Sequence, residues 1–319
     1  MNSANMSLDA PRLSIITVNL NNREGLEKTL ASVQAQQSAP AFEQIVVDGG
    51  STDGSADVIR RFESRLAFWI TEPDRGIYHA MNKGLAQATG DYLLFLNSGD
   101  RLANPRVLQT VFSGFPSADI VYGSIQVVRA GKPGKIVRGP APDDLQLTFW
   151  IQNTIQHSGT FIRRGLLLEN RYAEDFRIVA DRKFFFESFL AGKTFARIDQ
   201  VITHFEMGGI SSDPRHAALK RAEWDKLFTQ HMSMTVLARL REEIVCRNRQ
   251  DRAVLGSHGH MIHYSADLQE TLRRWIDLFF WLYRFHPARF CLNIWAGLLR
   301  HLETRRLRRK TPATTDVNP

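Results

Sequence analysis

Short apolar runs alternate with amphipathic, helix-length segments along the first hundred residues. Continuous apolar stretches such as SIITV and QIVV are typical of strands that are buried on both faces of a sheet. The predicted order is strand 13–18, helix 24–36, strand 44–48, helix 55–64, strand 66–71, helix 76–88 and strand 92–97. This alternation indicates an α/β fold, with a mostly parallel sheet that carries helices on both faces.

The pattern changes after residue 118, where the segments become strand-like. We predict strands at 118–128 and 135–139 joined by the turn AGKPGK, a strand-like segment at 156–164, a helix at 181–191 closed by Gly192, and a strand at 194–204. We interpret these elements as the second half of the same domain. The predicted organisation is an α/β domain at 1–212, a helical region at 213–310 and a flexible tail at 311–319.

The composition is that of a folded globular protein, with 319 residues of which 43% are hydrophobic and 23% are charged. The first residues lack a basic region followed by a long apolar run, so we expect neither a secretion signal nor a membrane span, and we expect a cytoplasmic protein. The two cysteines, Cys246 and Cys291, lie in helix-like stretches without metal-binding spacing. A disulfide scaffold and a zinc knuckle are therefore not expected.

Three of the predicted strands end in polar clusters, TVNLNNR, VVDGGSTDGS and FLNSGD. Ligands of open α/β sheets bind in the crevice outside the carboxyl ends of the strands, so we expect these polar residues to be functional. Asp48 ends the second strand, where a carboxylate can accept hydrogen bonds from a ribose or a nucleobase. The alternative is a capped turn, which we prefer for Ser51 and Asp53.

The cluster TEPDRGIYHAMNKG follows the third strand and opens a helix. Asp74 and Arg75 lie at the start of this helix, and Asn82 and Lys83 lie about two turns further on. A bound diphosphate needs cations and amide donors, which this segment contains. An exposed, charged helix face explains Lys83 equally well.

The segment DYLLFLNSGD brings a carboxylate, Asp100, to the end of a buried strand. In a crevice that also holds Asp48, this carboxylate is placed to bind Mg²⁺ or Mn²⁺ between two phosphate oxygens. A plain β-turn predicts the same four polar residues.

The run LSIITVNLNN, IVVDGGSTDGS and TEPDRGIYHAMNKGLAQATGDYLLFLNSGD resembles family 2 glycosyltransferases, which have the GT-A nucleotide-sugar-binding fold. Within that family it is most similar to the colanic-acid and exopolysaccharide type of bacterial enzymes. The resemblance extends from about residue 12 to about residue 212. It implies an inverting transfer of a sugar from a nucleotide-diphosphate donor to an acceptor hydroxyl in cell-surface polysaccharide synthesis.

The resemblance also implies roles for individual residues. Thr17, Asn19 and Asp48 match the family's contacts to the nucleoside, and Asn97 and Asp100 fall on its metal and diphosphate motif. The complete predicted donor set is Thr17, Asn19, Asp48, Ser51, Asp74, Arg75, Asn82, Lys83 and Asn97, with Asp100 as the metal ligand and Mn²⁺ or Mg²⁺ as the cofactor. The chain departs from the general motif, because Asn97 and Gly99 stand where two acids would be.

The segment FRIVADRKFFFESFLAGKTF is similar to the family element that carries the catalytic base, which places Asp181 in that role. Glu174 and Asp175 are nearby competitors for it. His157 faces either the acceptor or the protein core. Gly208 and Gly209 match the hinge of a loop that closes over the donor, and a simple turn at the domain end is the alternative.

The last third of the chain combines aromatic and basic residues. Residues 272–302 are rich in Trp, Phe and Leu but are interrupted by charges, so no run is long enough to span a bilayer. Together with the basic cluster at 300–310, they fit two helices at the inner face of the cell membrane, on anionic lipid, close to a lipid-linked acceptor. An oligomerisation surface can use the same aromatic residues.

Two further classes of function remain at this stage. A non-catalytic scaffold that binds a nucleotide would share the donor residues, and a nucleic-acid-binding protein would share the basic cluster. Recognition motifs for nucleic acid are absent from the sequence, so we expect no nucleic-acid partner.

Overall fold

A computed structural model of the chain describes residues 13–115, 117–142, 145, 149, 155–209 and 213–231. The strands are β1 (Leu13–Asn19), β2 (Phe42–Asp48), β3 (Phe68–Thr71), β4 (Tyr92–Phe95), β5 (Arg101–Leu102), β6 (Ile120–Arg129), β7 (Lys132–Val137), β8 (Thr160–Arg163) and β9 (Phe195–Glu206). The helices are α1 (Arg23–Gln34), α2 (Ser55–Phe62), α3 (Ile77–Gln87), α4 (Val107–Ser113), α5 (Arg164–Glu169), α6 (Ala180–Leu190) and α7 (Ala217–Thr229). Short 3₁₀ turns occupy Glu63–Arg65, His157–Gly159 and Pro214–His216.

The strands form one sheet in the order β3-β2-β1-β4-β8-β6-β9-β5, and β7 pairs with β6 beside this path. The first four strands are parallel, as their unbroken apolar runs predict. β1 lies between β2 and β4, so the order of the strands reverses beside it. Such a reversal opens a crevice at the carboxyl ends of the strands, which is where the predicted polar clusters lie.

The second half of the sheet mixes strand directions. β8 is antiparallel to both β4 and β6, whereas β6 and β9 run parallel to each other. The short strand β5 crosses to the far edge and pairs with β9, with Arg101 opposite His204. Because β8 is antiparallel to β4, the start of β8, rather than its end, lies at the same edge of the sheet as the end of β4.

Helices cover both faces of the parallel half. α1 and α2 pack on one face through a buried cluster that includes Leu26, Val46 and Val58. α3 lies on the other face, where Gly84 approaches Ile16 so closely that a β-carbon on the glycine would stand 2.4 Å from Ile16 Cγ2. The missing side chain therefore sets the distance between α3 and the sheet.

Gly84→Ala is expected to destabilise the fold, although alanine is the better helix former by about 1 kcal/mol. The added methyl group has to displace Ile16, and overpacking of this kind costs roughly 1–3 kcal/mol. Thermal and denaturant unfolding measure the difference. Gly165→Ala in α5 is the matched control, because no atom lies within 4 Å of its β-carbon position, and equal stability changes in the two variants would contradict the prediction.

The hairpin β6–β7 corrects one detail of the sequence analysis. The predicted turn AGKPGK is too long, because β7 begins at Lys132 and only Ala130 and Gly131 form the connection. Both residues have positive φ, 49° and 74°, which is typical of a tight two-residue hairpin turn. Pro133 is tolerated in β7 because this strand pairs only with β6.

The helix α7 packs against α6. The ring of Phe228 lies 5.6 Å from that of Phe186 and stacks on Trp224 at 5.1 Å. Within the described part of the chain, none of the helices is long and apolar enough to cross a bilayer. The predicted membrane-interface region, including the basic cluster at 300–310, lies outside the described residues.

Candidate functional site

The ends of β1 and β2 form the floor of the crevice. Asn19 and Asp48 are register partners, and Asn19 Nδ2 donates to Asp48 Oδ1 at 2.6 Å. Ser51 donates to the same carboxylate through its backbone N–H at 2.9 Å and through its hydroxyl at 2.5 Å. Asp48 is fully buried, so these three donors hold its carboxylate in one orientation.

The polar residues of the turn between β2 and α2 make hydrogen bonds within the fold. Asp53 accepts hydrogen bonds from the backbone and hydroxyl of Ser55 at the start of α2 and from the backbone N–H of Arg23 at the start of α1. The preferred interpretation of Asp53 as part of a capped turn is therefore confirmed. Ser51 links this turn to the loop after β1, since its hydroxyl also accepts from Asn21 N at 2.7 Å, and its predicted contact with the donor stays a prediction.

Several buried polar atoms without a partner lie at this crevice. Among the described residues they include Thr17 Oγ1, Asn19 Oδ1, Asp74 Oδ2 and Asn97 Oδ1. Buried polar groups are hydrogen-bonded in the great majority of cases. Four unsatisfied oxygens at the ends of neighbouring strands, or just after them, indicate a place where a polar ligand binds.

The cations of the second cluster bind carboxylates of the protein. Lys83 Nζ lies 2.6 Å from both Asp74 Oδ1 and Glu72 Oε1, and Arg75 pairs with Glu174 at 2.7 Å. Lys83 therefore orients Asp74 beside the crevice, whereas the Arg75 side chain is 73% exposed and extends toward Glu174.

Asn82 ties α3 to the segment that follows α5. Its amide donates to Tyr172 O at 2.9 Å and accepts from Tyr172 N at 3.2 Å. The side chain is buried, and these two bonds pair its amide with the backbone N–H and C=O of Tyr172, as a neighbouring strand would. Its predicted contact with the donor stays a prediction.

The β4 strand ends in a turn that brings two of the predicted residues together. Asp100 N donates to Asn97 O at 2.9 Å, and Gly99 has a φ of 105° that favours glycine. Asp100 is only 4% exposed and accepts a hydrogen bond from Glu206 N at 3.1 Å. Burial raises the pKa of Asp100 to about 7, which the nearby His157 only partly offsets.

This raised pKa predicts a pH-dependent stability in the absence of metal. The carboxyl group of Asp100 stays protonated in the folded state up to about pH 7, whereas in the unfolded chain it ionises near its ordinary value. Its contribution to stability is thus complete at low pH and is lost as the pH rises through 7. In the presence of a chelator, the wild type should lose roughly 1–3 kcal/mol relative to Asp100→Asn between about pH 5 and pH 8. Denaturant titrations of both proteins measure this, and a pH-independent difference would contradict it.

Asp181 lies at the start of α6, 8% exposed, within a network of hydrogen bonds. His157 Nδ1 lies 3.1 Å from Asp181 Oδ2, and the hydroxyl of Tyr78 lies 2.9 Å from Asp181 Oδ1. The other ring nitrogen of His157 lies 3.1 Å from Asn97 Nδ2. His157 therefore connects the predicted base to the end of β4.

The electrostatics of this pair favour ionised Asp181. Burial by itself raises the pKa of Asp181, but the hydrogen bond and charge of His157, with the charge of Arg182 and the hydrogen bond from Tyr78, together outweigh it and the pKa is lowered. Burial lowers the pKa of His157, yet the bond to Asp181 raises it overall. Each group thus stabilises the charged form of the other.

The two competitors for the base lie elsewhere. Glu174 is held by Arg75 and by Asn82, and Asp175 pairs with Lys226 at 2.5 Å on the surface. In the described part of the chain, the hydrogen bonds of His157 go to Asn97 and Asp181 rather than to either of these acids.

Other residues belong to the site or border it. Tyr78 was not predicted, although a tyrosine on the buried face of a helix needs a hydrogen-bond partner for its hydroxyl. Glu206, whose N–H binds Asp100, left no signal in the sequence. Gly208 and Gly209 follow β9 in a turn, with a φ of 133° at Gly208, and residues 210–212 lie outside the described chain. The role of these glycines as a hinge stays a prediction.

The buried carboxylate of Asp100 suits a divalent cation, although the protein offers few ligands for it. The described residues contain no group of three or more His, Cys, Asp or Glu side chains arranged around a metal. Asp100 nevertheless offers a buried carboxylate with a raised pKa, and Asn97 offers an unsatisfied oxygen. Mg²⁺ commonly binds through one or two carboxylates together with substrate phosphates and waters.

The chain is similar to known proteins in sequence and in fold. The family model described as Glycosyl transferase family 2 matches residues 14–169. The PGL/p-HBAD biosynthesis glycosyltransferase of Mycobacterium bovis (strain BCG / Pasteur 1173P2) is 32% identical over 254 residues, covering 77% of this chain and 93% of that protein.

Two solved structures are similar in fold. S. aureus TarS 1-349 in complex with UDP-GlcNAc has a TM-score of 0.51 at 20% identity, over 62% of this chain and 59% of that chain. Mannosyltransferase PcManGT from Pyrobaculum calidifontis, in complex with GDP-Man and Mn2+, has a TM-score of 0.50 at 17% identity, over 94% of this chain and 88% of that chain.

Proposed function

The chain belongs to glycosyl transferase family 2 and is a glycosyltransferase with the GT-A fold, and on this premise we propose that it transfers a sugar from a nucleoside diphosphate to an acceptor hydroxyl with inversion. The observation that carries the proposal is the position of His157, which contacts Asn97 at the end of β4 and Asp181 at the start of α6. The side chain of His157 thus links Asn97, on the proposed side of the leaving diphosphate, to Asp181, the proposed base.

The donor binds along the ends of β1, β2 and β4 in this proposal. Thr17, Asn19 and Asp74 offer the nucleoside their unsatisfied oxygens, while Asp48 holds Asn19 in place. The diphosphate lies toward Asn97 and Asp100, which directs the sugar toward His157. The bound nucleotide sugars of the two similar structures support a donor of this class.

Asp181 acts as the general base. An ionised carboxylate accepts about four hydrogen bonds, and Arg182 N, the Tyr78 hydroxyl and His157 take three of these positions. The remaining position on Oδ2 is available to the acceptor hydroxyl. The lowered pKa keeps the carboxylate ready to take a proton at neutral pH.

The reaction is a single displacement. The acceptor oxygen attacks the anomeric carbon, the bond from that carbon to the diphosphate oxygen breaks, and the hydroxyl proton passes to Asp181. The nucleoside diphosphate leaves on the opposite face, so the anomeric configuration is inverted. A bound divalent ion, held by Asp100 and Asn97, would supply positive charge to the leaving diphosphate.

The acceptor is proposed from a relative and from the composition of the last third of the chain. We propose a glycan or lipid-linked acceptor of the cell surface, on the basis of the similarity to the mycobacterial PGL/p-HBAD biosynthesis glycosyltransferase. The aromatic and basic residues of 272–310 suit attachment to the inner face of the membrane, where a lipid-linked acceptor would be found.

A donor screen tests the proposal. The purified protein is incubated with UDP-, GDP- or dTDP-sugars and lipid-linked acceptors, with Mn²⁺, with Mg²⁺ or with a chelator, and release of nucleoside diphosphate is measured. We expect turnover with one nucleotide class, dependence on the metal, and a product whose NMR coupling constants show an inverted anomeric centre. A protein that neither binds nor turns over any of these donors would contradict the proposal, and a product of retained configuration would contradict the mechanism.

A further inference from the structure

A carboxylate from α7 is buried against the segment that leads to Asp181. Glu223 is 5% exposed, and its two oxygens accept from three successive backbone N–H groups, Arg177 at 2.6 Å, Ile178 at 2.9 Å and Val179 at 3.1 Å. Burying a carboxylate is unfavourable unless hydrogen bonds replace its water. These three bonds do so at a single place, immediately before α6.

The segment held by Glu223 is also the one that shapes the base. The hydroxyl of Tyr78 lies 2.8 Å from Ile178 O and 2.9 Å from Asp181 Oδ1, so it can donate its hydrogen bond to either oxygen. Val179 precedes α6, whose first turn carries Asp181. Any movement of residues 177–179 is therefore passed directly to the carboxylate and to its tyrosine partner.

The attachment of α7 does not depend on Glu223 alone. The guanidinium of Arg182 lies 5.4 Å from the ring of Trp224, and the ring of Phe228 packs on Phe186. Lys226 adds an exposed ion pair with Asp175. Removal of the Glu223 carboxylate should thus loosen residues 177–179 while leaving α7 in contact with α6.

We propose that Glu223 is a positioning residue for the transfer reaction and acts through Asp181. This inference rests on the proposed function, because it requires Asp181 to be the base. Reactive groups lose catalytic power steeply when they are displaced, and 1 Å can cost about 100-fold. The helix α7, which lies beyond the predicted domain boundary at residue 212, then contributes to the site through Glu223.

Two substitutions in the full-length protein test the proposal by kinetics. Glu223→Ala is expected to lower kcat by about 10- to 100-fold while the KM for the nucleotide sugar changes less than about twofold, because the donor site is untouched. Glu223→Gln keeps the shape and one acceptor oxygen, so its kcat should fall between those of the wild type and the alanine variant. Thr229→Ala, which removes hydrogen bonds of an exposed hydroxyl to carbonyls of the same helix, is the matched control and should stay within about twofold of the wild type.

A double substitution separates positioning from general damage. In the Asp181→Asn background, Glu223→Ala should cause no further loss of kcat, since the group through which it acts is already gone. Losses that multiply, or a rise in the KM for the donor that matches the fall in kcat, would overturn the proposal.

Amide hydrogen exchange gives a readout that needs no substrate. Exchange of the N–H groups of residues 177–179 should be at least tenfold faster in Glu223→Ala, with exchange in β1–β4 unchanged. Unchanged exchange at 177–179 would overturn the proposal even if activity fell. A wild-type protein without transfer activity would count against the proposed function, whereas an active wild type with multiplying losses would count against Glu223 alone.

Discussion

Replacement of Asp181 by asparagine is expected to lower kcat for sugar transfer by about 10²–10⁴-fold, the usual contribution of a general base. Asparagine keeps the size of the side chain and can still bind Tyr78 and Arg182 N, but its amide cannot take a proton from the acceptor hydroxyl. The donor site lies at other strands, so the affinity for the nucleotide sugar should change little. Steady-state kinetics of nucleoside diphosphate release, with a separate measurement of donor binding, give both values.

The chain offers matched controls for this substitution. Glu174→Gln and Asp175→Asn make the same chemical change at the two competing carboxylates, which pair with Arg75 and Lys226 on the surface. Both controls should retain kcat within a fewfold of the wild type. A normal kcat in Asp181→Asn, or a large loss in one of the controls, would move the base to another residue.

Replacement of Asp48 by alanine is expected to weaken nucleotide binding by about 100-fold or more and to destabilise the fold. The substitution leaves Asn19 Nδ2 and both donors of Ser51 without their acceptor inside a buried site. Each unsatisfied buried donor costs about 1–3 kcal/mol, but Ser51 is half-buried and water can reach its two donors, so the expected total loss is roughly 2–5 kcal/mol, less than the sum for three buried donors. Isothermal titration with UDP and GDP and thermal unfolding measure the two effects.

Asp53→Ala is the control in the same loop. Asp53 also accepts three hydrogen bonds, but they go to the starts of α1 and α2 rather than to Asn19. This variant should lose stability and keep its affinity for nucleotide. Equal affinities of the Asp48 and Asp53 variants would show that Asp48 serves only the fold.

The places of the polar residues that follow the parallel strands could be predicted because their signals are local, whereas their contacts with a donor stay a prediction. Each parallel strand is a single apolar run, and the polar residues that follow it meet at one edge of the sheet by a general rule of such folds. Asn19, Asp48 and Asn97 are therefore recognisable from their places at the ends of strands. The partners of Lys83 and Asn82 could not be predicted, because Glu72, Asp74 and Tyr172 reach them through three-dimensional contacts that no spacing encodes.

The base side was accessible only through the resemblance to a known family. β8 is antiparallel to β4, so His157 reaches the site from the beginning of a strand, and the rule about carboxyl ends does not apply to it. Asp181 begins a helix whose apolar residues lie on several sides, with no amphipathic pattern to distinguish the acid. Glu223 did leave a signal, since it shares a helix face with Leu227, and a glutamate at a buried position needs a partner.

Because β5 pairs with β9, this part of the sheet can form only after the ribosome has synthesised most of the described chain. Residues 13–95 contain the four parallel strands and their connections, which are close together in the chain. Arg101, by contrast, pairs with His204, and Asp100 accepts a hydrogen bond from the amide of Glu206. Both contacts require residues that are synthesised about 100 positions later. The nascent protein thus has all four parallel strands long before the partners that bury the carboxylate of Asp100 have been synthesised.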